Sequence, residues 1–133
     1  YGHLKAAVEE LASALEARGQ KVSVFDLARD DMAEAVEDAF RYDRLVLASI
    51  TYQGEIFPFM STFIHTLAEH AYQNRTVALV EAGSWAPAAA KVMTKELEGM
   101  KDITLAQNKV TVLGSLNDAS RAQIEALADE LSK

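Results

Sequence analysis

Residues 45–54 read Leu45-Val46-Leu47-Ala48-Ser49-Ile50-Thr51-Tyr52-Gln53-Gly54. A nearly unbroken apolar run passes into a polar segment that ends on glycine. A strand with one wet face alternates apolar and polar residues. A continuous run marks a strand covered on both faces, the habit of parallel sheets. Working outward, residues 76–80 repeat the signal and run into Glu81-Ala82-Gly83-Ser84. Residues 22–27 and 109–113 also read as strands. Helical periodicity fills the intervals. Leu4, Val8, Leu11 and Leu15 share one helix face, and Gly19 suits the left-handed position after a helix. Asp30 or Asp31 caps a short helix with Ala33, Val36 and Phe40 inward. Pro58 opens a helix whose stripe is Met60, Phe63, Ile64, Leu67 and Ala71. Pro87 opens another, with Ala89, Met93, Leu97 and Met100 inward. Asn117 or Asp118 caps a last helix carrying Ile124, Leu127 and Leu131.

Alternating strands and helices with short connections predict one α/β domain over residues 1–133, a parallel sheet layered between helices. A helix opening on Tyr1-Gly2-His3 is expected to follow a strand that precedes Tyr1, because Tyr-Gly makes a good strand-to-helix turn. The chain has 133 residues, half of them hydrophobic and a quarter charged, which suits an ordinary globular core. It has no cysteine, which excludes disulfides, thiolate metal sites and thiol nucleophiles. A net charge of −7 argues against nucleic acid as a partner. No apolar run reaches membrane-span length, and no basic–apolar leader opens the chain. The expectation is a soluble cytoplasmic protein.

In open parallel sheets, ligands bind beyond the carboxyl ends of the strands. Three segments fall there: Tyr1-Gly2-His3-Leu4, Ser49-Ile50-Thr51-Tyr52-Gln53-Gly54 and Ala82-Gly83-Ser84-Trp85-Ala86-Pro87. The first opens a helix, whose free N–H groups and dipole favour an anion. The others each combine glycine, a hydroxyl residue and one large aromatic, a set able to hold a flat ring and its polar edge. Read one at a time, Thr51-Tyr52 could equally be a plain turn and Trp85 simple core. His65 and His70 stand about 140° apart around a helix and make a poor metal pair. Asp30-Asp31 reads as capping rather than a phosphoacceptor site, and Ser84 lacks a G-x-S-x-G setting.

These residues resemble flavodoxin-like FMN domains, most closely the C-terminal flavodoxin domain of A-type flavoproteins, the flavodiiron proteins. Tyr1-Gly2-His3 is similar to the end of the family's phosphate loop. Ser49-x-Thr51-Tyr52-x-Gly54 resembles its second loop, and Glu81-x-Gly83-Ser84-Trp85-Ala86-Pro87 its third. Gly99-Met100-Lys101-Asp102 has a similar look. Leu4 stands where threonine is common, Ile50 where proline is frequent, and Ala82 where asparagine is common. The resemblance implies a three-layer sandwich with sheet order 2-1-3-4-5, whose first strand would precede Tyr1. It implies FMN as cofactor, held by Tyr1, Gly2, His3, Leu4, Ser49, Thr51, Tyr52, Gln53, Gly54, Gly83, Ser84, Trp85 and Ala86. No side-chain catalyst and no metal are expected in this domain.

The implied role is electron transfer to a diiron site in another, metallo-β-lactamase-like domain or in a redox partner protein, for reduction of oxygen or nitric oxide. A homo-oligomer is compatible with it. Reduced FMN is anionic, so a −7 domain with Glu55 and Glu81 in or beside the ring loops favours a low potential. Two alternatives stay open: a stand-alone FMN-dependent NAD(P)H:quinone reductase, and a cofactor-free interaction module, for which Leu4 in place of a hydroxyl residue speaks.

Overall fold

The computed structural model describes residues 2–52, 55, 56, 58–83, 88–113 and 115–133, with backbone alone at 2, 51, 52, 55 and 56. In chain order the elements are α1 (Gly2–Ala17), α2 (Met32–Arg41), β1 (Arg44–Tyr52), β2 (Glu55–Ile56), α3 (Pro58–Glu69), β3 (Arg75–Gly83), α4 (Ala89–Leu97), β4 (Ile103–Leu105), β5 (Val110–Leu113) and α5 (Asp118–Leu131). β1 and β3 pair in parallel from Arg44↔Thr76 to Ile50↔Ala82. The other edge of β3 carries β4 and β5, both parallel and in line with one another. They are one sheet position interrupted at residues 106–109. That interruption is bridged by the Glu130 carboxylate, which accepts from the Gln107 and Asn108 N–H groups at 2.8 and 2.9 Å. These bonds hold the Glu130 carboxyl below its usual range.

The continuous apolarity of the central strands has its expected cause. Leu47, Val77 and Leu79 pack with α2, α3 and α4 on one face. Ala78, Val80 and Ala82 pack with α1 and α5 on the other. The sheet is therefore the middle layer of an α/β sandwich. Asp31 caps α2 by accepting from the Ala33 N–H, and Asn117 forms a capping box with Ser120. After α1, Gly19 takes a φ of +83°, and bonds from Gly19 to Glu16 and from Gln20 to Leu15 close a Schellman turn.

Several expectations are corrected. Residues 22–26 have no regular structure and Leu27 lies in a turn, so the expected strand is not formed: a strand is defined by its ladder bonds, and among the described residues no strand pairs with this segment. An apolar cavity of about 570 Å³ lies between it and β1. Leu4, Val8 and Leu11 wall the cavity on one side, Ala39, Met60 and Phe63 on the other. The empty space thus lies in the sheet layer itself. Ala33 is exposed, since the buried stripe of α2 runs through Ala35 and Ala39. Ala71 is exposed too: α3 ends at Glu69, and Ala71 occupies the left-handed turn position with φ +58°. Tyr72 fills the core place instead. β2 and β4 were not expected. Pro87 lies outside the described residues. Among the described residues no helix is long and apolar enough to cross a membrane.

Candidate functional site at the carboxyl edge of the sheet

Parallel pairing brings the ends of β1, β3 and β5 to one edge: Ile50 lies opposite Ala82, and Gly83 opposite Leu113. The start of α1 belongs to the same edge. Arg18 meets Glu125 and Asp129 at 2.7 and 2.8 Å, while Glu10 meets Arg121 at 3.1 Å. Numbers rise together along both helices, so α1 and α5 run parallel. The end of α5 sits at the start of β1, where the Arg44 guanidinium donates to the carbonyls of Leu131 and Lys133. Both helices therefore begin at the carboxyl edge. Gly2, the β1 end at Thr51-Tyr52 and the β3 end at Gly83 come together there.

The side chains sort differently. His3 is exposed. Leu4 is 7% exposed and packs into the core with Ala82 and Val112; only its backbone remains for a ligand. Ser49 is buried, and its hydroxyl donates to the Ile50 carbonyl at 3.1 Å. Thr51 and Tyr52 are not a loop but the last residues of β1, paired antiparallel with Ile56 and Glu55. Tyr1, Gln53, Gly54, Ser84, Trp85 and Ala86 lie outside the described residues.

The edge has the donor chemistry an anion needs. The first turn of α1 carries no acidic residue, and the opening N–H groups of a helix lack intrahelical acceptors. Glu81, expected in or beside a ring loop, is buried at 3% exposure. Its carboxylate accepts from the Ala90 N–H at 3.0 Å and the Thr111 hydroxyl at 2.9 Å, and pairs with the Lys109 ammonium at 3.3 Å. Its charge is compensated within the protein. The sequence carried one signal for this arrangement: a lone carboxylate inside an otherwise apolar strand. Among the described residues no group of three or more His, Asp or Glu could hold a metal ion.

This architecture is matched by solved structures. Rubredoxin:oxygen oxidoreductase from Desulfovibrio gigas superposes with a TM-score of 0.91 at 16% identity, over 99% of this chain and 33% of that one. The fold is flavodoxin-like. The flavodiiron core Flv1 of Synechocystis sp. PCC6803 gives 0.86 at 14% identity, over 99% and 32%. A flavodoxin from the domain Archaea gives 0.84 at 17% identity, over 98% and 89%. The chain thus matches the flavodoxin region of flavodiiron proteins as well as stand-alone flavodoxins. It spans about a third of the length of those flavodiiron chains. No protein-family profile matches the sequence, and no curated protein sequence does.

Proposed function

We propose that this chain is an FMN-binding electron-transfer domain of a flavodiiron-type protein, passing electrons to a diiron site in a metallo-β-lactamase-like domain that reduces oxygen or nitric oxide. The observation that carries the cofactor assignment is the convergence of the α1 start with the ends of β1 and β3 on one edge. The backbone N–H groups of Gly2, His3 and Leu4 hold the phosphate. Thr51, Tyr52, Gln53 and Gly54 flank one side of the ring, and Gly83, Ser84, Trp85 and Ala86 the other. When bound, FMN supplies the redox chemistry, and the chain orients it and excludes water. Near-complete coverage of this chain by a third of each flavodiiron chain supports the domain assignment.

The same reading accounts for the cavity. A strand running parallel to β1 between it and residues 22–27 completes the order 2-1-3-4-5. Such a strand would end at the carboxyl edge where α1 begins. The β-α-β crossover thus made has the usual right hand.

The test is a flavin titration of the chain followed by fluorescence and visible absorption. Stoichiometric uptake is expected, and Trp85→Ala weakens it about tenfold by removing one stacking partner and admitting water. Absence of uptake overturns the cofactor assignment and favours the interaction module, for which the burial of Leu4 speaks.

A further inference from the structure

We infer that Gln123 and Glu130, two side chains of α5, close the outer edge of the sheet against pairing with a second copy of this chain. The inference stands apart from the cofactor reading. β4 and β5 together form the last sheet position, and among the described residues no strand lies beyond them. An edge strand presents a row of unpaired N–H and C=O groups that another edge can pair with. Every copy carries the same edge, and the bonds of a ladder are backbone bonds that need no matching sequence. Over residues 103–113 this edge is long enough to template a partner, since strands of about five or six residues are usual. Two copies meeting there about a twofold axis would pair the edge with itself.

The outward donors in the middle of that edge are already taken. Successive N–H groups of an extended chain point to opposite edges. The Ala106 N–H donates to the Val77 carbonyl at 2.8 Å, on the β3 side. The next N–H, that of Gln107, turns outward and donates to the Glu130 carboxylate at 2.8 Å. The Asn108 N–H and side-chain amide donate to the other oxygen of that carboxylate at 2.9 and 2.8 Å. Further along, the Thr111 N–H donates to the Gln123 side-chain oxygen at 2.8 Å. The spacings agree. Gln123 and Glu130 lie seven residues apart in α5, about two turns and about 10.5 Å along one helix face. Asn108 and Thr111 lie three residues apart, about 10 Å of extended chain. The pairs run in opposite order, Thr111 with Gln123 and Asn108 with Glu130, as for a helix antiparallel to the strand it covers. Outside the occupied stretch β4 is three residues long, too short to hold a partner strand by itself.

The test is sedimentation velocity with residue-resolved amide exchange on the double variant Gln123→Ala/Glu130→Ala. Its self-association is expected to be at least about tenfold tighter than that of the wild type. In dilute solution its Gln107, Asn108 and Thr111 amides exchange at least about tenfold faster than in the wild type, and they slow again as the protein is concentrated. Leu105 is 38% exposed on the same edge position. Adding Leu105→Lys puts on it a charge that opposes edge pairing, and restores the wild-type association. Residues that merely stabilise the fold would leave these amides fast at every concentration. Unchanged association of the folded double variant overturns the inference. So does tighter association that leaves the three amides unprotected or that survives Leu105→Lys. Should the double variant not fold, Glu130→Gln decides, because it keeps the side chain's size and gives up one acceptor oxygen. Exchange at Gln107 or Asn108 at least about threefold faster when dilute, and slowed on concentration, supports the inference. Exchange there that is unchanged, or independent of concentration, overturns it.

Discussion

At the scale of single residues, Tyr72 is the least comfortable member of the core. It is 1% exposed, edge-on to Phe40 with ring centroids 5.0 Å apart, and the Arg75 guanidinium lies 5.1 Å from its ring centre. Among the described residues its hydroxyl finds no hydrogen-bond partner. Burial pushes the phenol up to about 12, with the Arg75 guanidinium acting in the opposite direction. The folded form thus keeps the proton to higher pH than the unfolded form, which ionises near 10. Stability from this group is complete below pH 10 and is lost as pH rises toward 12. Tyr72→Phe removes an unsatisfied hydroxyl and keeps the ring. It is expected to raise stability by about 1 kcal/mol at neutral pH and to flatten the fall above pH 10. Urea melts at pH 7 and at pH 11 check both effects; a destabilised Phe variant at pH 7 contradicts this account. The neighbouring turn explains how Tyr72 entered the core. The helical stripe in the sequence pointed to Ala71, but the chain leaves the helix after Glu69 and turns at Ala71. Periodicity extrapolated past a helix end assigns the wrong residue inward.

At the scale of elements, legibility followed burial. Residues 45–50 and 76–80 were readable because helices cover both their faces, and two-sided burial writes itself as unbroken apolarity. β4 is three residues long and largely exposed, too short for any period to appear. Residues 22–27 have strand composition, yet composition cannot supply a ladder partner. In the site, glycines and hydroxyls near strand ends were visible, and so was the inward face of Leu4, which shares the apolar stripe of α1 with Leu11 and Leu15; whether that position also serves a ligand was not. A phosphate-loop position and a core position look alike at the start of an amphipathic helix. The open slot beside β1 yields an element-scale prediction. Over Arg44–Ile50, β1 is paired on the β3 side, and the cavity lies along its other side. Backbone groups of a strand alternate between its two edges, so the cavity edge of β1 offers ladder positions to a further strand. A seven-residue Val/Ile-rich extension fused before Tyr1 is expected to raise Tm by several degrees. It should also slow amide exchange in residues 22–27 and 45–50, whereas the same extension with a central proline should not. Equal exchange with both extensions contradicts the strand assignment.

At the scale of the whole molecule, two cores fill the opposite faces of one sheet, and the proposed chemistry belongs to the edge where strands end and helices begin. The opposite edge is closed by structural bonds, Arg44 to the end of α5 and Arg75 to the carbonyls of Phe40, Tyr42 and Gln73. This division of labour is the central claim, and amide hydrogen exchange with and without FMN tests it most directly. The account predicts that FMN slows exchange in the first turn of α1 and in the segments following β1 and β3, with residues 40–44 and 98–105 unaffected. Protection confined to the cavity lining at residues 22–28, or to the edge holding Arg44 and Arg75, would contradict it.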